Sequence, residues 1–180
     1  MAGEICRAAL AIPAAPPNIA IMNTSIFYAI AWAIGLGVIG GLMTPRADWY
    51  ERLRKPAWQP PGWAFGPAWT IILGLAAWSA VRAWDASTGD SQRSDILILF
   101  GVNGVCHLLW SPLFFKLQRP DWALAEVVFL WASLVALVVG LWPIEHGAAL
   151  LILPYLAWVS FAAYLNLTIV RLNPRPKATR

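Results

Sequence analysis

Residues 148–170 read AALLILPYLAWVSFAAYLNLTIV, a run without one charged side chain. As a helix it is about 34 Å long at about 1.5 Å per residue. That is enough to cross a hydrocarbon layer about 30 Å thick. Four similar runs precede it. Residues 26–43 carry no charge, and neither does the stretch from Pro67 to Val81 within a span read as 67–84. The span 96–117 holds one ionisable group between Ile96 and Phe115, His107, and the span 122–142 holds Glu126 near its start. Strands of a transmembrane barrel would alternate apolar and polar residues over about ten positions, and these runs do not. The expected fold class is therefore an all-α integral membrane protein, a bundle of five transmembrane helices.

Composition points the same way. Of 180 residues 59% are hydrophobic and 12% charged, where soluble domains are about 25% charged. Mean hydropathy is +0.61. Disordered chains are poor in apolar residues, which excludes that class. Two cysteines exclude a disulfide scaffold. Twelve tryptophans are far more than one core needs. Each offers a flat apolar ring and one donor.

The connections are short, which forces antiparallel neighbours. Residues 85–95 read as a polar turn, Gln118 to Pro120 as a tight hairpin, and Pro143 to Gly147 as another. Rows of small residues, Ala29, Ala33, Gly37 and Gly41, then Ala132, Ala136 and Gly140, suit close backbone approach. They serve packing inside one bundle or between two copies. Lys and Arg fall unevenly. Arg46, Arg52, Arg54, Lys55, Lys116, Arg119, Arg171, Arg175, Lys177 and Arg180 lie on one side; Arg7, Arg82 and Arg93 lie on the other. The richer side is expected in the cytoplasm, with the C-terminus, and the N-terminus outside. The net charge of +4 then calls for no nucleic acid. Residues 1–24 are expected to be a disordered extension, broken by Pro13, Pro16 and Pro17, and residues 174–180 a basic tail.

The loop 44–66 reads TPRADWYERLRKPAWQPPGWAFG. Thr44 and Pro45 suit an N-cap and first helical position. Asp48 with Arg52 and Glu51 with Lys55 are spaced for one helical turn, which Pro56 then stops. Trp49, Tyr50 and Leu53 share a face. Pro60, Pro61, Gly62 and Pro67 stiffen the return. The loop is either a lid over the bundle end or a set of interfacial aromatics. In the third span Asn103, His107, Trp110 and Phe114 share a face; in the fifth, Tyr155, Trp158, Ala162 and Asn166 do. Together with Trp69 they frame an aromatic cavity for a flat hydrophobic ligand. His107 is either a satisfied interhelical hydrogen bond or, less simply, an axial ligand for a metalloporphyrin. Glu126 and Glu145 stand isolated. No metal set, nucleophile with base, phosphate loop or carboxylate pair is present, and no cofactor is required.

Trp49-Tyr50 through Lys55-Pro56-Ala57-Trp58, Pro60-Pro61-Gly62-Trp63 and Pro67-Ala68-Trp69 resemble the translocator protein, or TspO/MBR, family of tryptophan-rich sensory proteins and peripheral benzodiazepine receptors. So do Asn103, Leu109-Trp110-Ser111, Leu113-Phe114-Phe115, Pro154 to Trp158, Phe161-Ala162, Leu165-Asn166 and Arg171. The resemblance covers about residues 25–173. It implies a dimeric five-helix bundle whose cavity, under the first loop, takes porphyrins, sterol-like lipids and synthetic isoquinolines or benzodiazepines. By matching positions it assigns Tyr50, Trp58 and Pro60 to the lid, and Trp69, Asn103, Trp110, Trp158 and Ala162 to the cavity. It also implies light-dependent protoporphyrin breakdown at Trp69 and Trp158. His107 departs from the pattern, where many relatives carry Asn. The sterol motif is broken: Leu167 holds its Tyr position, and Tyr164 is one residue too far from Arg171. The expected function is a membrane receptor that binds, and transports or photodegrades, porphyrin; a lipid or sterol carrier is the alternative.

Overall fold

The computed structural model describes residues 19–44 and 48–174. The expectations for residues 1–18, for Pro45 and Arg46, and for residues 175–180 lie outside them. The described residues form six α-helices: α1 (Ile19–Leu42), α2 (Asp48–Arg52), α3 (Gly62–Ala86), α4 (Asp90–Ser111), α5 (Pro120–Leu141) and α6 (His146–Leu172). A π-helical turn, Pro112–Lys116, continues α4. Among the described residues five helices are long and apolar enough to cross a membrane: α1, α3, α4 with its π turn, α5 and α6. They form a ring in the order α1, α3, α6, α5, α4, with a thin seam where α1 closes against α4.

The spans are where the apolar runs put them, but several ends move outward. The first helix starts at Ile19 rather than 26, so residues 19–24 are helix rather than extension. The polar turn 85–95 shrinks to Ser87–Gly89, because Gly89 takes an extended N-cap conformation and α4 begins at Asp90. α3 begins at Gly62, so Gly62 and Pro67 belong to a helix and not to a stiffened return. Proline disfavours helix at the residue before it, yet α3 runs through Gly66-Pro67 and α6 through Leu153-Pro154.

The core fills the space between α4, α5 and α6. Leu134, Leu137, Leu141, Ile152 and Tyr155 are all fully buried there. Gly104 admits the edge of Trp32 across the α1–α4 seam: a Cβ at 104 would lie 3.0 Å from Trp32 Nε1. The small-residue rows divide. Ala29 packs with Ala77 and Val81 of α3, and Gly140 faces Leu99 of α4. Ala132 and Ala136 are exposed.

Glu145 is not isolated. It caps α6 by accepting from the N–H groups of Gly147 (3.0 Å) and Ala148. It also pairs with Arg82 at 2.9 Å, tying α3 to α6 at the end away from the first loop. Desolvation pushes its carboxyl up, but the two amides and the Arg82 charge outweigh that and hold it below the usual carboxylate range. A depressed native pKa stabilises above the unfolded value, and that stabilisation is lost as pH falls through the native one. Thermal unfolding in detergent should therefore show acid destabilisation at the foot of the carboxylate range. Glu145→Gln should be less stable at neutral pH and lose part of that acid dependence. An unchanged acid profile in the variant would assign the effect to other carboxylates.

Candidate functional site: a lidded aromatic cavity

The first loop packs on the bundle end as a lid held at three points. The first is aromatic. Trp49, Tyr50 and Leu53 of the lid pack on the cluster of Phe114, Ala123, Leu165 and Ile169. Phe114 lies 6.0 Å from Trp49 and 6.1 Å from Tyr50, ring centre to ring centre. The second is the Asn173 carboxamide. It accepts from the Arg54 N–H and donates to the Arg54 carbonyl, both at 2.9 Å. The third is Trp58, stacked on Tyr164 at 5.2 Å and edge-on to Phe161.

Details of the lid differ from expectation. α2 ends at Arg52, so Pro56 does not stop it. The capping expected of Thr44 falls on residues 45–47, outside those described. The Thr44 hydroxyl turns back to the Gly40 carbonyl, 2.8 Å away, and approaches Ser111 Oγ at 3.2 Å. Glu51 and Lys55 do pair, at 3.0 Å, and the ammonium sits 4.1 Å above the centre of the Tyr50 ring. Tyr50 Oη accepts from Gln59 Nε2 at 3.0 Å.

Beneath the lid is a cavity of 1310 Å³, with walls from α1, α3, α4, α5, α6 and the π turn. Small-molecule pockets run to about 1,000 Å³, so a porphyrin-sized plate is within its capacity. Of the expected site residues, Tyr50, Trp69, His107, Trp110, Trp158 and Ala162 lie on its wall. Trp69 is the hub. Its ring centre is 4.8 Å from His107, 5.8 Å from Tyr155 and 6.3 Å from Trp158, each edge-to-face. Trp110 stacks on Phe114 at 5.0 Å, joining the cavity wall to the lid's seat.

Three expected residues sit elsewhere. Trp58 is 44% exposed and pegs the lid to the outside of α6. Pro60 leads into the N-terminus of α3 and is not part of the wall. Asn103 is fully buried behind the wall, donating to Ser133 Oγ at 3.0 Å. Spacing put Asn103 and His107 on one face of α4, but Ser133 of α5 covers the Asn103 end of it. Asn166 lines the cavity. With its amide nitrogen toward the Pro120 carbonyl and its oxygen toward the Leu124 N–H, both 3.1 Å away, it locks α6 to the first turn of α5. Lys55, Gln59 and Gly40 are wall residues that the sequence reading missed.

The aromatic motifs that build this site match a known family model, that of the TspO/MBR family, over residues 25–172. The chain belongs to that family. It is 37% identical over 159 residues to the tryptophan-rich protein TspO of Chlorobaculum tepidum, covering 85% of this chain and all of that one. It is 34% identical to protein CrtK of Rhodobacter capsulatus, over 87% of this chain and 98% of that one. The human translocator protein is 28% identical, over 88% of this chain and 93% of that one. The chain is thus a multi-pass membrane protein related to membrane sensors and translocators.

Proposed function

We propose that this protein is a membrane receptor for a flat apolar macrocycle of the porphyrin type, bound under the lid and then sensed, carried or broken down in light. The observation that carries the reading is the wall itself. Trp69, Trp110 and Trp158 converge on one large cavity, with Lys55 and Tyr50 of the lid as the polar groups at its mouth. Apolar area buried against such walls contributes about 25 cal/mol per Å², offset by the cost of ordering lid and ligand. Titration of the purified protein with protoporphyrin, followed by absorbance and Trp quenching, tests it. Saturable binding at micromolar levels is expected, and no binding would overturn it.

Light chemistry follows from the same geometry. An excited porphyrin beside an indole can take an electron from it and pass that electron to dioxygen. The indole radical cation then recovers an electron from the porphyrin, and the porphyrin radical cation combines with the superoxide to give an oxygenated, broken ring. Replacing Trp69 and Trp158 together by Phe keeps apolar rings and should keep most of the binding. It should slow light-dependent porphyrin loss by about an order of magnitude, equivalent to about 1.4 kcal/mol of barrier. Loss at the parent rate would make both rings structural.

A lipid or sterol carrier is the second reading. It is favoured by the way the wall extends along α1 and α3 to the outward-facing Ile30, Ile34, Val38 and Trp78. That strip offers an apolar ligand a way in from the bilayer. Competition of cholesterol against protoporphyrin separates the two, and a homodimer is part of either proposal.

The orientation is also ours to propose. Arg52, Arg54, Lys55, Lys116, Arg119 and Arg171 gather at the lid end, and Arg82 and Arg93 at the other. The lid end therefore faces the cytoplasm. A cysteine introduced at position 54, in a background without Cys6 and Cys106, should resist a membrane-impermeant maleimide in intact cells and react after lysis. Labelling in intact cells would reverse the topology.

A further inference from the structure

Four polar side chains form a line that runs from behind the cavity wall out to it: Ser133 on α5, Asn103 on α4, Tyr155 on α6 and, on the wall itself, His107 on α4. The proton positions along it can be worked out in order. Ser133 Oγ is 2.7 Å from the Leu130 carbonyl. A carbonyl only accepts, so the single Ser133 proton goes there. Toward Asn103, 3.0 Å away, Ser133 can then only accept, which turns the NH₂ of Asn103 to it. The Asn103 side chain also neighbours the Tyr155 oxygen, and its own Oδ1 takes part in no hydrogen bond among the described residues, so it does not take the Tyr155 proton. Tyr155 is fully buried, and its own proton needs an acceptor. His107 Nδ1, at 2.8 Å, is the acceptor the structure places there. The proton of the neutral imidazole is left on Nε2.

Nε2 faces the cavity. A Cβ on Gly40 would stand 3.6 Å from it, and Gly40 and His107 both line the cavity. Glycine at 40 keeps α1 from filling the space in front of the ring nitrogen.

We propose that the Ser133–Asn103–Tyr155 relay fixes His107 as its Nε2–H tautomer, so that the cavity presents a hydrogen-bond donor, not a lone pair, at that depth. The proposal rests on reading the cavity as the ligand site and narrows the ligand class. The favoured ligand is flat and apolar, brings an acceptor (a carbonyl, a carboxylate or an unprotonated ring nitrogen) to His107, and carries no metal centre. Coordination needs an imidazole lone pair. Tyr155 occupies the one on Nδ1, and the proton occupies Nε2. Tyr155, Asn103 and Ser133 are positioning residues, acting through His107.

The test begins on ligand-free protein. Histidine is labelled with ¹⁵N in His146→Gln, which leaves one imidazole. The expected spectrum has a proton-bearing Nε2 and a bare Nδ1. Tyr155→Phe removes the donor to Nδ1 and should give the averaged shifts of mixed tautomers. Ser133→Ala frees the Asn103 amide to turn its oxygen to Tyr155 and should move the proton part-way toward Nδ1; it serves also if the Phe variant does not fold. A parent ring protonated at Nδ1, or at both nitrogens, overturns the relay, as do unchanged shifts in both variants. Iron protoporphyrin gives a second reading. The parent should show no imidazole-ligated iron spectrum. Tyr155→Phe should gain one that disappears in Tyr155→Phe/His107→Asn. Iron ligation by the parent that is lost in His107→Asn overturns the proposal. Failure of metal-free protoporphyrin to bind defeats the functional reading instead, while the spectrum of the ligand-free protein decides the relay by itself.

Discussion

Phe114→Ala should undock the lid while leaving the five spans in place. Phe114 is 2% exposed, and it is the common seat of the lid's two leading aromatics. Trp49 and Tyr50 meet it edge-on from above, Trp110 stacks on it from the cavity side, and Phe115 packs 4.8 Å away. Truncating a buried Phe costs about 3–5 kcal/mol in a closed core. Here much of the loss falls on the lid: Trp49 loses its ring contact and Tyr50 keeps only that to Phe115, 5.4 Å away, while Trp110 still meets Phe115 on the bundle side. Asn173 and Trp58 remain as tethers, so the lid should become mobile rather than detached. Limited trypsin digestion should then cut after Arg52 and Arg54 many times faster than in the parent, and protoporphyrin affinity should fall at least about tenfold, or about 1.4 kcal/mol. Phe114→Leu, which keeps most of the volume, should fall between the two. Parent-level cleavage in Phe114→Ala would mean that Asn173 and Trp58 hold the lid without the aromatic seat.

The spans were legible because hydrocarbon demands an unbroken apolar length, and 148–170 or 122–142 can satisfy nothing else. Their ends were not, because a helix does not stop at the membrane surface. Asp90 to Asp95 are polar and still helical, since Gly89 rather than polarity sets the start of α4. The second span was read from Pro67, where proline suits a helix start, but α3 begins five residues earlier at Gly62 and runs through it, as α6 runs through Pro154. Within the site, helical spacing and motif resemblance located Trp69, Trp110, Trp158 and Ala162, each of which lies on the cavity wall. The same spacing misplaced Asn103. Periodicity groups residues on one helix but is silent on which neighbour covers each turn. The His107–Tyr155 pair joins residues 48 positions apart and leaves no local trace. Glu145 was only partly legible: acidic residues gather at the start of helices, but Glu is not among the usual N-cap residues, and its pairing with Arg82 spans 63 positions.

Two small residues, Ala162 and Gly140, should respond to enlargement in opposite ways, and the contrast tests whether the cavity is where the ligand sits. Ala162 lies one turn beyond Trp158 on α6, with its side chain at open volume. Ala162→Trp places a ring in space that nothing occupies, so the packed core is untouched and thermal stability should hold. The same ring stands where a flat ligand would lie against Trp158. Protoporphyrin affinity should drop about 100-fold, or about 2.7 kcal/mol. Gly140 lies instead at the α4–α5 contact, where a Cβ would come within 2.7 Å of Leu99 Cδ1. Leu99 is a side-chain end and can give, so Gly140→Ala should cost about 1–3 kcal/mol as overpacking and lower the unfolding temperature. It is remote from the wall, and ligand affinity should stay at the parent value. Unfolding temperature and protoporphyrin Kd measured on both variants therefore separate a filled site from a strained seam. Parent-level binding by Ala162→Trp would place the ligand outside the cavity, on the outward strip of α1 and α3, and would move the lipid-carrier reading ahead of the receptor.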